Sequence, residues 1–183
     1  MSNQAYLNTA ILLAREASKY ALQSIDRLDR LKIRDKGVND LVSNIDEKID
    51  QFISFKIKEL YPDHNILSEE SGFHNQKDDS EFLWVVDPID GTKNFISGIP
   101  LFAISIALLQ NNEPIVGVVY LPMTDELFEA SINKGAMLNR VRIKTTQHPI
   151  NTQTMAVCLS KKHSIPTCLL YTSDAADDMA SGV

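Results

Sequence analysis

Acidic side chains stand where apolar runs of this sequence end. Asp87 and Asp90 flank Pro88-Ile89 at the end of "WVVDPID", Gly91-Thr92 follow directly, Glu69-Glu70 come after "NILS", and Asp46 stands near the start of a helical stretch. Carboxylates brought together at one edge of a sheet cannot all stay ionised without a cation, and oxygen-only donors select Mg²⁺ or a similar hard ion. Pro88 stiffens the backbone so that the Asp87 and Asp90 carboxylates and the Ile89 carbonyl can face one point. Gly91 permits close backbone approach, and a helix starting near Thr92 would aim free N–H groups at an anion. The expectation is a metal ion beside a phosphate-like group. An Asp pair at a strand end is usually a solvated turn, but Gly-Thr behind it and "SEES" before it favour the site.

The elements that must position these residues are legible from periodicity. Apolar residues return at helical spacing from Asn3 to about Arg30, and again from about Asn44 to Leu60, where Ser43 or Asn44 is available as cap and Pro62 lies just past the end. After Pro62 the pattern shortens to strands, "HNIL", "EFLWVV", "AISIALL", "PIVGVVYL" and "ELFEASI", separated by turn composition such as "NNEP" and "LPMTD". "TMAVCLSKKH" reads as a further strand and turn. Loops this short favour antiparallel neighbours, so the fold class is α/β in the layered α+β sense: two N-terminal helices on a largely antiparallel sheet. Trp84 and Phe95 read as core packing around the turn. His64, His74, His148 and His163 fall in polar stretches without ligand spacing and are assigned no role.

Composition narrows the function classes. The 183 residues are 44% hydrophobic, enough for one sizeable core, and 18 basic against 24 acidic residues leave a formal charge of −6. No Lys/Arg cluster could neutralise a nucleic-acid backbone, and no window approaches the ~20 apolar residues of a membrane span. The N-terminus lacks the features of a secretion signal, so the expected location is the cytoplasm. Cys158 and Cys168 are too few for a disulfide framework or a cysteine zinc site.

Three segments in order, "DKGVNDLVSNID", "ILSEES" and "WVVDPIDGTKNF", resemble the N-terminal signatures of the inositol monophosphatase family, Mg²⁺-dependent, lithium-sensitive phosphomonoesterases with a sugar-phosphatase fold. The likeness spans about residues 1 to 160 and includes "FAISIALL", "PIVGVVYLP" and "GAMLN". It implies that Glu69, Asp87 and the Ile89 carbonyl bind a first Mg²⁺, with Asp87 bridging to a second ion also held by Asp90. By the same resemblance Asp46 and Thr92 orient and deprotonate the attacking water, the Gly91 and Thr92 N–H groups hold phosphate oxygens, Asp90 serves both ion and substrate, and Lys36 lies near the outer ion. The implied substrate is inositol monophosphate or a similar polyol phosphate, and the full-length form is expected to be a homodimer. Some bacterial relatives also serve in transcription complexes, so a non-catalytic partner role is the alternative from another class.

Two departures qualify the resemblance. Lys93 stands where inositol monophosphatases often carry Thr and 3'(2'),5'-bisphosphate nucleotidases often carry Lys, which keeps a nucleotidase as an alternative; Asn94 and "KGAMLN" favour the inositol branch. The "WDxAA"-like stretch of the family's second half has no match, since "SDAADD" lacks the Trp. Cys168 to Asp177 resembles the conceptual translation of a sequencing-library adapter. The expected division is therefore residues 1–163 as the N-terminal metal-binding part and 164–183 as a non-native tail, with the second α/β part missing and turnover of the fragment very low.

Overall fold

A computed structural model describes residues 2–25, 27–37, 40–74, 77 and 79–145, with the backbone alone for 29, 35–37 and 40–42. The expected strand "TMAVCLSKKH", the tail 164–183, His148 and His163 lie outside the described residues.

Helix α1 (Asn3–Ile25) buries Tyr6, Leu7, Ala10, Leu13, Ala14, Ala17 and Ala21 on one stripe, and its alanines let neighbouring backbones approach closely. The helix ends sooner than its periodicity suggested: Arg27 leaves helical dihedrals at φ −139°, ψ 41°, and Leu28–Arg30 form a 3₁₀ turn instead. A hairpin that periodicity missed follows, β1 (Ile33–Gly37) against β2 (Asp40–Ser43). It delivers the chain to α2 (Asn44–Leu60), which Ser43 caps and which buries Ile45, Ile49, Ile53 and Ile57.

The remaining strands form one eight-stranded sheet. They are β3 (Asn65–Ser68), β4 (Gly72–His74), β5 (Phe82–Asp90), β6 (Ala103–Gln110), β7 (Glu113–Leu121), β8 (Glu126–Ser131), β9 (Gly135–Leu138) and β10 (Val141–Ile143), in spatial order β10-β9-β8-β7-β6-β5-β3-β4. Every pairing is antiparallel except β3 with β5, so the sheet is mixed but mostly antiparallel, as expected. The β6–β7 turn has two residues, Asn111 and Asn112, with φ of 51° and 65°, the signature of the tight turn whose twist matches that of the strands.

Helices α1 and α2 pack on one face of this sheet. The shared core holds Trp84, Val86, Ile104, Ile106, Leu108, Val116, Val118 and Tyr120, and Phe95 is buried with them, as read from the sequence for Trp84 and Phe95. His64 corrects the sequence reading. Its stretch is polar, yet the ring is buried, stacked between Tyr61 and Phe82 with centroids 4.9 and 4.4 Å away, and accepts the Trp84 indole N–H at Nδ1 (3.1 Å). No helix among the described residues is long and apolar enough to cross a membrane.

Candidate active site

Strand β5 carries Pro88 in its interior, where a proline would forfeit a ladder hydrogen bond. The chain accommodates it with an irregularity: Asp87 pairs with Ser105 and Asp90 with Ala103, so three steps on one strand face two on the other. That bulge swings Ile89 inward, where its side chain is buried, and leaves Asp90 exposed. Gly91 then turns the backbone at φ 93°, and any Cβ there would stand 3.1 Å from the Leu101 carbonyl oxygen. Only glycine fits both the dihedral and the space. The short helix α3 (Thr92–Ile96) begins at once, near the residue expected.

Thr92 links this turn to α2. Its Oγ1 lies 2.9 Å from Asp46 Oδ1 and 2.9 Å from the Ile89 carbonyl oxygen, two acceptors for one hydroxyl proton. Asp46 is fully buried at the third position of α2. Ser43 occupies its other oxygen: the Ser43 N–H donates to Asp46 Oδ2 at 3.1 Å and the Ser43 hydroxyl donates to the same atom in a short bond. Burial raises the Asp46 carboxyl above the ordinary carboxylate range, against hydrogen bonds from Ser43 and Thr92 that pull it down.

Glu69 reaches the same edge from β3. Its N–H continues the parallel ladder to the Val86 carbonyl at 3.0 Å, which sets it beside Asp87. Asp87 is pushed up to about 8, first by burial, then by the negative charge of Glu69 and a hydrogen bond with it, and further by Asp90 and Glu70. The structure thus joins Asp46 with Thr92, Thr92 with Ile89, and Asp87 with Glu69. Glu70 lines a neighbouring cleft of ≈ 440 Å³ with Arg34, Glu47, Asp50 and His74. Lys36 lies in β1, and only its backbone is described.

Among the described residues no three Asp, Glu, His or Cys side chains gather around one point. The donor chemistry nonetheless fits a hard divalent cation: half-buried Asp87 and exposed Glu69 stand side by side and repel when both are ionised, and an ion between them would remove the repulsion. A wider cleft of ≈ 910 Å³ lies between α1 and β8–β9, lined by Leu7, Arg15 and Ser131 among others, and shares none of these residues.

The model of the inositol monophosphatase family matches residues 2–178. The chain belongs to the inositol monophosphatase family. Members are phosphomonoesterases that typically use Mg²⁺. Nus factor SuhB of Haemophilus influenzae is 44% identical over 138 residues, 75% of this chain and 51% of that protein. A protein of Aquifex aeolicus named fructose-1,6-bisphosphatase/inositol-1-monophosphatase is 38% identical over 76% of this chain and 52% of its own length. The crystal structure of extragenic suppressor protein SuhB from Bartonella henselae superposes with a TM-score of 0.76 at 35% identity, covering 79% of this chain and 55% of that one. The chain spans about half the length of the curated relatives it matches, and its fold is the first half of the family's fold.

Sequence reasoning missed one member of this constellation. Ser43 was read only as a helix cap, while the structure ties it to the buried Asp46 carboxylate. The spacing Ser-x-x-Asp was the available signal.

Proposed function

We propose that the protein is a SuhB-like family member that works in a transcription complex and carries a Mg²⁺-dependent phosphomonoesterase site. Relatives named Nus factor SuhB, at 38 to 44% identity, support the first part and favour it over hydrolysis as the cellular task. The observation that carries the second part is the hydrogen-bonded run from Asp46 through Thr92 to Ile89, two residues from the Asp87–Glu69 pair.

In this reading Glu69, Asp87, the Ile89 carbonyl and Asp90 would hold Mg²⁺. Bound Mg²⁺ would supply a more acidic water and neutralise charge developing on the departing oxygen. The Ile89 carbonyl has two lone pairs and can serve Thr92 and an ion together. Thr92 accepts a proton from the attacking water as it passes its own to Asp46, which burial makes a stronger base than a surface aspartate. Water oxygen bonds to phosphorus as the bond to the ester oxygen breaks, and the departing oxygen takes a proton from solvent water. The Gly91 and Thr92 N–H groups, at the start of α3 and so without acceptors inside that helix, hold phosphate oxygens. Exposed Asp90 meets the substrate alcohol. The alcohol is inositol or a similar polyol, a class supported by the name of the Aquifex aeolicus relative. A 3'(2'),5'-bisphosphate nucleotidase remains the competing enzyme reading through Lys93 alone, and relative rates on inositol 1-phosphate and adenosine 3',5'-bisphosphate separate the two.

Asp87→Asn in the full-length protein tests both parts. Hydrolysis is expected to fall by a factor on the order of 10² or more, while a transcription-antitermination reporter is expected to keep its wild-type response. Equal loss of both would make hydrolysis the cellular task. Undiminished hydrolysis would remove Asp87 from the site.

A further inference from the structure

We propose that Ser43 is a positioning residue for hydrolysis, setting the orientation in which Asp46 receives the proton from Thr92. The inference rests on the phosphatase reading above and concerns a residue outside the expected site set.

Its ground is a closed hydrogen-bond inventory. Ser43 Oγ accepts the Ile45 and Asp46 N–H groups at 3.2 and 3.4 Å, which uses both of its lone pairs. Its single proton can then go only outward, and it goes to Asp46 Oδ2. That oxygen also receives the Ser43 N–H, so Oδ2 is bound twice by one residue. The carboxylate cannot rotate without breaking both bonds, and its Oδ1 is left aimed at Thr92.

The consequence for Thr92 is specific. Its hydroxyl proton has two acceptors at equal distance, Asp46 Oδ1 and the Ile89 carbonyl. Transfer to Asp46 is productive, whereas donation to Ile89 leads to no base. Ser43 biases that choice by holding Oδ1 in place, and its surroundings make the arrangement rigid: Ser43 is 1% exposed and Asp46 0%. An ordinary helix cap needs the Ser43 oxygen as acceptor, while this role needs its hydroxyl as donor. The two can be separated, because glycine replaces serine as a cap at little cost to the helix but has no hydroxyl.

The experiment compares Ser43→Gly, Ser43→Ala and Ser43→Thr in the full-length protein, using inositol 1-phosphate and Mg²⁺. Glycine and alanine are expected to lower kcat by roughly 10- to 100-fold, a fraction of what positioned proton transfer contributes, with KM and calorimetric Mg²⁺ affinity within about twofold of wild type, and threonine to restore kcat. Glycine keeps the cap but loses a hydrogen bond to a buried carboxylate, so a moderate fall in Tm with the fold retained is expected. A folded glycine variant with undiminished kcat would overturn the proposal and leave Ser43 a cap. A crystal structure of the glycine variant supplies an arm independent of turnover: Asp46 is expected to turn from Thr92, and a persistent Asp46–Thr92 bond would overturn the positioning role. Absence of Mg²⁺-dependent hydrolysis in the wild type would instead count against the phosphatase reading, with the crystallographic arm still deciding what Ser43 does.

Discussion

Single residues carry the local logic of the site, and Gly91 is the most constrained. It combines φ of 93° with a Leu101 carbonyl oxygen 3.1 Å from where a Cβ would sit, so a side chain there meets both a strained dihedral and a backbone atom that cannot swing aside. Gly91→Ala is expected to destabilise the full-length protein by roughly 1–3 kcal/mol, read from the denaturant midpoint, and to lower hydrolysis by displacing Thr92. A midpoint equal to wild type would show that the turn relaxes freely. At this scale the sequence offers candidates: Asp46, Glu69, Asp87, Asp90 and Thr92 stand out by type and by their place at element ends. What was not legible is how they share protons. Whether Asp46 meets Thr92 through Oδ1, and whether Ser43 accepts or donates, depends on backbone geometry that spacing alone does not fix.

Elements explain why those residues meet. The β3–β5 parallel pairing brings Glu69 beside Asp87, the bulge at Pro88 releases Asp90, and the Ser43 cap starts α2 with Asp46 facing inward. The opposite end of β3 holds His64 between Tyr61 and Phe82. An indole N–H can only donate, so His64 Nδ1 must stay unprotonated to receive Trp84. Burial accordingly lowers the His64 pKa from 6.5, with nearby Asp63 opposing and the N-terminal amino group adding. Between the folded and unfolded pKa values the unfolded chain binds more protons, so stability should fall as pH drops through 6.5 toward the lower folded value. Tm measured from pH 7.5 to 5 should decline more steeply in wild type than in His64→Gln, whose amide oxygen can still accept from Trp84; parallel declines would remove His64 as the cause. The long helices and five of the strands were readable because their apolar period persists. Strands β1, β2, β4, β9 and β10 were not, since three to five residues such as "GFH" and "VRI" are too short to show alternation. The His64 misreading has a related origin: Asp63 and Asn65 make the stretch polar, while packing from Tyr6 and Phe82 comes from elsewhere in the chain.

At the largest scale, the described residues up to Lys144 form a helical layer on a mostly antiparallel sheet, tied at one margin by Arg15 of α1, which bonds Asp125 at 2.8 Å and lies 4.8 Å above the Tyr120 ring. This half of the family's fold brings α2, β3, β5 and α3 to one edge, and the account stands on that edge gathering oxygen donors for a divalent ion. Family membership rests on the match over residues 2–178, while the ion and the chemistry are properties of the site and need their own test. Isothermal titration of the full-length protein with Mg²⁺ is the most direct. Saturable uptake is expected in the wild type, and Glu69→Gln and Asp87→Asn should each abolish or severely weaken it, with both variants still folded by circular dichroism. Wild-type protein that takes up no Mg²⁺, or folded variants that bind it as tightly as wild type, would show that Glu69 and Asp87 hold no ion.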